Sequence, residues 1–301
     1  MINRRTTSIL LLLTASLIWG TSFVAQILGM EHIGPMTFCF SRYIVSFLFL
    51  MPFSLIIDGR RSHLRCGGAE RILSQWKNCI SSGVICGAAL FTASSLQQVG
   101  LLYTSAGKAA FITAMYIVIV PLYGLFMKKI PSRLTICAIL LSTAGLYLLS
   151  VKSGFTMEAG DALIFASAFF WAAHIMACYR FSKSHDPLKL SAVQFATVAL
   201  LSAAAMFLFE SPRWGDIYSS LLPILYAGFF CTCVAYTLQM MAQRYVSPVA
   251  TCIILSAEAL FAAFFGCLIL GETLTARELI GCAVLFSATL LAQVEEVRNG
   301  G

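Results

Sequence analysis

Glu258, Arg42 and Lys108 are charged residues set inside stretches that are otherwise apolar. An ionised group within hydrocarbon costs several kcal/mol, so such residues are rare unless they face a partner, a cavity or a pathway. Glu258 stands about ten residues into its stretch, roughly 15 Å deep at the rise of an α-helix. A carboxylate there could exchange a coupling proton, hold a substrate ammonium, or serve as a structural acid tied to a buried cation or hydroxyl. Thr251 and Ala262 share its helical face, and Ala262 leaves room beside it. Arg42 lies about 10 Å inside another stretch and needs a partner: Glu258, helix carbonyls or the carboxylate of a solute. Lys108 is about one turn inside a third and can snorkel outward. A cavity holding both signs would suit a zwitterion such as an amino acid.

Other side chains extend this set. Trp76 and Trp214 fall near the ends of apolar stretches, where an aromatic belt expects them. Trp19 and Trp171 are about twelve residues inside theirs. Helical spacing puts Ser22 and Gln26 on the face of Trp19, and His174 and Cys178 on that of Trp171. These faces could line a cavity or pack helix against helix. His174 and Cys178, one turn apart, make a metal pair geometrically possible, yet no further ligands are placed beside them. The eleven cysteines include no C-x-x-C pair and mostly occupy apolar stretches, where cysteine packs as a small apolar residue. The sequence contains no Gly-x-Ser-x-Gly elbow, phosphate loop or His-Glu-x-x-His motif. The expectation is therefore no enzyme, no cofactor and no metal.

The elements that position these residues are membrane-spanning helices. The chain of 301 residues is 59% hydrophobic and 11% charged, far below the charge of ordinary soluble domains. Apolar stretches of spanning length are read at 7–28, 35–57, 79–100, 106–127, 133–151, 159–180, 188–209, 218–242, 247–270 and 276–294. The first is too long for a cleaved signal peptide and lacks a small-residue cleavage site. Residues recur at fixed offsets: Trp19 and Pro35 as Trp171 and Pro187, 152 later, and Gln97, Tyr103 and Ser105 as Gln239, Tyr245 and Ser247, 142 later. Cys137 and Ala138 recur as Cys282 and Ala283, 145 later. The expected fold is an all-α polytopic membrane protein, with ten transmembrane helices in two inverted five-helix repeats, 1–151 and 152–301. Five spans per repeat is an odd number, so the second repeat enters the membrane from the opposite side, as in many transporters.

The net charge of +7 points to topology, with membrane lipid and not nucleic acid as its partner. With the N-terminus in the cytoplasm, that side collects Arg4, Arg5, Arg60, Arg61, Arg65, Arg71, Lys77, Lys128, Lys129, Arg133, Arg180, Lys183, Lys189, Arg244 and Arg298. The outer side receives only Lys108, Lys152, Arg213 and Arg277, so both termini are placed in the cytoplasm of a cytoplasmic (inner) cell membrane. Segment 58–77 reads as a long basic loop near anionic lipid. Gly83-x-x-x-Gly87, Ala262-x-x-x-Gly266 and Ala283-x-x-x-Ser287 read as close-packing motifs. Pro121 and Pro223 fall inside spans and could kink them.

The chain resembles the EamA-type drug/metabolite transporters. The matching segments are Leu17-Ile18-Trp19-Gly20-Thr21-Ser22-Phe23, Ser41-Arg42-Tyr43, Thr104-Ser105-Ala106-Gly107-Lys108-Ala109-Ala110-Phe111 with Pro121, and Glu258-Ala259-Leu260-Phe261-Ala262-Ala263 running to Leu270-Gly271-Glu272. The resemblance implies two five-helix halves around a central cavity opened alternately to each side, moving amino acids, related metabolites or drugs, often outward. Departures are Lys128-Lys129 where the second half has Gly271-Glu272, Ala172 where the first half has Gly20, and Ala259 where similar proteins often carry proline. Glu272 reads as a local cap. The combined reading is a secondary transporter exporting amino acids or related small metabolites by alternating access. Glu258, Arg42, Lys108, Trp19, Trp171, Gln26 and His174 are the substrate-binding or coupling candidates, and proton coupling is compatible with Glu258. Export of drugs or lipophilic cations is the alternative, and a non-transporting assembly protein the remoter one.

Overall fold

The structure is a computed structural model and describes residues 4–63, 68–126, 131–151, 158–270 and 274–298. Among these residues are ten helical spans long and apolar enough to cross a membrane: Arg4–Gly29, Pro35–Arg60, Ile72–Gly100, Gly107–Phe126, Arg133–Ser150, Ala159–Ser182, Pro187–Phe209, Leu221–Ala242, Pro248–Phe265 and Ala276–Arg298. They are numbered here in chain order. Arg65, Lys128, Lys129, Lys152, Gly271 and Glu272, which the sequence reading singled out, lie outside the described residues. The Arg5 guanidinium donates to the Glu296 carbonyl at 2.8 Å, so both ends of the chain meet at one face of the bundle.

Segment 58–77 is mostly helix and not the loop expected of it: the helix of span 2 runs on to His63, and that of span 3 begins at Gly68. Polar residues do not end a helix once it has left the hydrocarbon, because water satisfies their side chains. Trp76 is likewise more than a belt residue. Its indole N–H donates to Asp58 Oδ2 at 3.0 Å, tying these two helix ends together.

Lipid tails are as apolar as leucine, so helices associate through close packing and internal polar contacts. Gly83 and Gly87 do this for spans 3 and 7: an added Cβ would fall 2.5 Å from Val193 and 2.6 Å from Thr197. Spans 5 and 10 cross at Gly145 and Gly281, where a Cβ on either would lie 2.7 Å from a backbone nitrogen of the other span. The Ala283-x-x-x-Ser287 motif does not make this contact. Ala283 and Ser287 are exposed, and the buried face of span 10 carries Gly281, Leu285, Ala288 and Ala292 instead.

Spans 2 and 7, equivalent under the 152-residue offset, pack together and are joined at both ends. Glu210, which closes span 7, receives the Met36 and Thr37 backbone N–H groups at 2.7 and 2.8 Å and the Thr37 hydroxyl at 2.6 Å. At the other end Lys189 Nζ pairs with Asp58 Oδ1 at 3.1 Å and donates to Gln75 Oε1 at 2.7 Å. Asp58 and Glu210 are themselves 152 residues apart, as are Thr37 and Lys189. The repeat thus places an acid at the end of each span against the first turn of its mate.

Spans 4 and 9 are both interrupted, again at equivalent places. Span 4 divides into Ala106–Thr113 and Tyr116–Phe126, and the ninth into Pro248–Leu255 and Glu258–Leu270. Both breaks share two tightened i→i−3 bonds, Met115 N to Ile112 O and Ile117 N to Ala114 O in the first, Ala257 N to Ile254 O and Ala259 N to Ser256 O in the second, and the first adds Val118 N to Met115 O. The shared bonds fall at positions 142 apart, although of the four residue pairs only Ile112 and Ile254 are identical. Span 1 is also broken, into Arg4–Trp19 and Ser22–Gly29, whereas its counterpart Ala159–Ser182 is continuous. The difference coincides with Gly20 in the first repeat and Ala172 in the second.

Candidate functional site

The breaks in spans 1, 4 and 9 converge on a cavity near mid-bundle. Its lining includes Trp19, Ser22, Phe23 and Gln26 from span 1, Arg42 from span 2, Gln97 from span 3, and Thr113 and Tyr116 from span 4. The second repeat adds Trp171 and Ile175, then Cys231, Thr232, Tyr236 and Gln239, and finally Leu255 and Glu258. In this structure the lining leaves a free volume of about 70 Å³, so the cavity stands narrow. Broken helices with polar backbone at membrane depth are tolerated where they line such a space.

Glu258 opens the second half-helix of span 9, so its carboxylate stands at the positive end of a helix dipole. No hydrogen bond or ion pair joins this carboxylate to any other described residue. What holds it in place is its backbone. An added Cβ on Gly20 would fall 2.7 Å from Phe261 Cβ and 3.0 Å from both Glu258 O and Ala262 N. The break in span 1 is therefore pressed against the start of this half-helix.

Arg42 is only 6% exposed. Its guanidinium lies 4.9 Å from the Tyr43 ring centroid and 5.7 Å from that of Phe38, with Nη2 3.8 Å from Cys39 Sγ. Its Nε has no protein partner, and no carboxylate lies within ion-pair distance among the described residues. Span 8 contributes a π-helical stretch, Ala227–Val234, beside it. Ser46 Oγ bridges the two, 2.7 Å from both Arg42 O and Gly228 O. A π-turn changes which carbonyls are free, and the Trp19 indole N–H takes that of Cys231 at 2.8 Å.

The aromatic walls meet through Tyr236. Trp171 stacks on it with centroids 6.2 Å apart and planes 5° from parallel, and Trp19 meets it edge-on at 4.9 Å. Gln97 Nε2 donates to Thr113 Oγ1 at 2.8 Å, while the Gln26 Oε1 atom is buried without a partner among the described residues.

Of the residues singled out from sequence, Trp19, Gln26, Arg42, Trp171 and Glu258 share the cavity. Lys108 does not: it pairs with Asp161 Oδ2 at 2.5 Å, and Thr104 Oγ1 and the Glu158 backbone N–H also donate to that carboxylate. His174 stands behind the wall, packed on Trp171 and Tyr236. Tyr116, Tyr236, Gln97 and Gln239 line the cavity without having been singled out. One signal for Tyr116 was available, since it precedes Glu258 by the 142 residues that already separate Gln97 from Gln239.

The arrangement offers a solute one cation, one carboxylate, amide and hydroxyl groups, and flat aromatic walls. Among the described residues no three His, Cys, Asp or Glu side chains converge on a metal position.

Comparison with known proteins agrees with this architecture. A family model described as the EamA-like transporter family matches residues 6–151 and again 158–293. An uncharacterised transporter of Archaeoglobus fulgidus is 29% identical over 280 residues, covering 93% of this chain and 83% of that one. A protein of known crystal structure superposes with a TM-score of 0.77 at 17% identity, over 98% of this chain and 99% of the other, which shows a shared fold.

Proposed function

The chain belongs to the EamA-like transporter family, and we propose that it carries a small zwitterionic solute, an amino acid or related metabolite, outward by alternating access. One observation supports this reading above the rest: Arg42 and Glu258 face the same cavity, and among the described residues neither has a side chain of the opposite charge paired with it. Burying a guanidinium and a carboxyl group in a membrane interior is costly, and a solute with a carboxylate and an ammonium group would offset that cost at both ends. Arg42 would take the carboxylate, through the forked donors that suit it. Glu258 would take the ammonium, and it is also the group through which a proton would couple. Trp19, Trp171 and Tyr236 would pack against the solute's body, and Gln26 and Gln97 would supply amide contacts. The repeats 1–151 and 152–301 would be the halves that rearrange. The basic residues support an orientation with both termini in the cytoplasm of the inner membrane.

The aromatic walls around Glu258 also favour a second reading, export of lipophilic cations. Thermal unfolding of the detergent-purified protein with a solute panel separates the two. Free amino acids are expected to raise the midpoint, while their N-acetyl and ester derivatives do not. At 100 times Kd the stabilisation is about 2.7 kcal/mol. Stabilisation by tetraphenylphosphonium alone would overturn the zwitterion reading.

A further inference from the structure

The repeat relates the cavity to a second polar cluster that is closed in this structure. Ser22, Gln26 and Arg42 have as counterparts, 152 residues on, His174, Cys178 and Gln194. The first three line the cavity, and their places along Arg4–Gly29 and Pro35–Arg60 put them toward the span ends away from the termini. The counterparts are sealed on the side toward the termini, with His174 only 1% exposed and Gln194 not at all. Tyr236 and Trp171 form the partition, with the His174 ring 6.0 and 6.2 Å from their centroids.

Within this cluster His174 Nε2 lies 3.1 Å from Gln194 Oε1 and 3.2 Å from Cys178 Sγ. Other polar atoms go unmatched among the described residues: Trp171 Nε1, His174 Nδ1 and Gln194 Nε2, and Ser191 Oγ one helical turn before Gln194, are buried without a partner. Each such atom costs about 1–3 kcal/mol. A helix junction needed only for packing would be better filled by apolar side chains, as most of this bundle is. Donors and acceptors kept at that cost on the face equivalent to the lined cavity are accounted for if another state wets them.

We propose that His174, Gln194 and Ser191 form a second polar subsite of the permeation path, facing the termini side. It opens when the Trp171–Tyr236 stack parts, and it there receives the polar groups of a departing or arriving solute. This inference rests on the transporter reading above. It adds that the two ends of the path differ in chemistry, with a permanent cation at Arg42 on one side and an imidazole with a neutral amide on the other. A solute carboxylate is thus held more weakly at the termini end.

Cys178, in contact with His174, supplies a native reporter. The unmodified chain in right-side-out and inside-out membrane vesicles is treated with an impermeant trimethylammonium methanethiosulfonate, and modified cysteines are mapped by peptide mass spectrometry. Modification of Cys178 is expected at least tenfold faster from the face bearing the termini, and faster still in Trp171→Ala, which removes one plate of the partition. Reaction equally fast from both faces, or faster from the opposite one, would overturn the proposal. So would a Cys178 that stays unreacted from either face yet reacts once the protein is denatured. Because labelling requires no solute, failure of the amino-acid panel together with a labelled Cys178 would remove the zwitterion reading and leave this subsite standing.

Discussion

Arg42→Gln is expected to lower transport about a hundredfold while leaving the thermal midpoint unchanged or raised. The guanidinium is buried, has no acidic partner in the described part of the chain, and touches mainly two aromatic rings and a thiol. Truncating a charge that serves the fold leaves its partner unpaired and costs about 3–5 kcal/mol. Here no partner is left behind, and the desolvation of a cation is removed. What is lost is a charge-assisted contact to the solute, about 1.5–3 kcal/mol, or roughly ten- to a hundredfold and more. Arg42→Lys should fall between, since it keeps the charge and loses the fork. Transport at matched membrane abundance, read beside thermal unfolding, checks both halves of the expectation. A clear drop in stability with transport preserved would make Arg42 structural.

Gly20→Val should be more damaging still, removing transport and destabilising the bundle together. Gly20 is where the break in span 1 meets the half-helix that begins at Glu258. A Cβ there overlaps Phe261 Cβ, the Glu258 carbonyl and the Ala262 nitrogen. Two of these three atoms belong to backbone, so rotamer changes cannot relieve the clash. Overpacking of this kind costs about 1–3 kcal/mol, and the backbone shift that relieves it moves Glu258 within the cavity. Gly20→Ala should show the same pattern in milder form. Ala172 supplies the contrast: it occupies the equivalent position in a continuous helix, and Ala172→Gly should leave transport within a few-fold of the native chain. A Gly20→Val chain that folds and transports normally would show that the contact between the two breaks is dispensable.

The sequence made the outline legible because its signals were anomalies. A glutamate, an arginine or a tryptophan deep within an apolar stretch has no cheap explanation, so Glu258, Arg42, Trp19 and Trp171 stood out and converge on one cavity. Tyr116, Tyr236 and Gln97 carry no such flag, because phenols and amides are inexpensive inside a span. Only the repeat offset could have raised Tyr116. The breaks at Ala114–Met115 and Ser256–Ala257 were equally silent, having neither glycine nor proline to announce them. They arise from tertiary context, where backbone that leaves the regular ladder faces a cavity. Lys108 illustrates the opposite case. Its depth suggested a role in the site, but Asp161, supplied by span 6, holds it away from the cavity. A partner that far along the chain is visible only once the spans are packed.

The amino-acid carrier reading meets its most direct test in the solutes released by cells. Untargeted profiling would compare cells expressing the native chain with cells expressing Glu258→Gln at the same membrane abundance. Enrichment of one class of amino acids or related zwitterions outside the native cells, and its loss with Glu258→Gln, is the expected result. Equal enrichment with both chains, or enrichment confined to lipophilic cations, would contradict it.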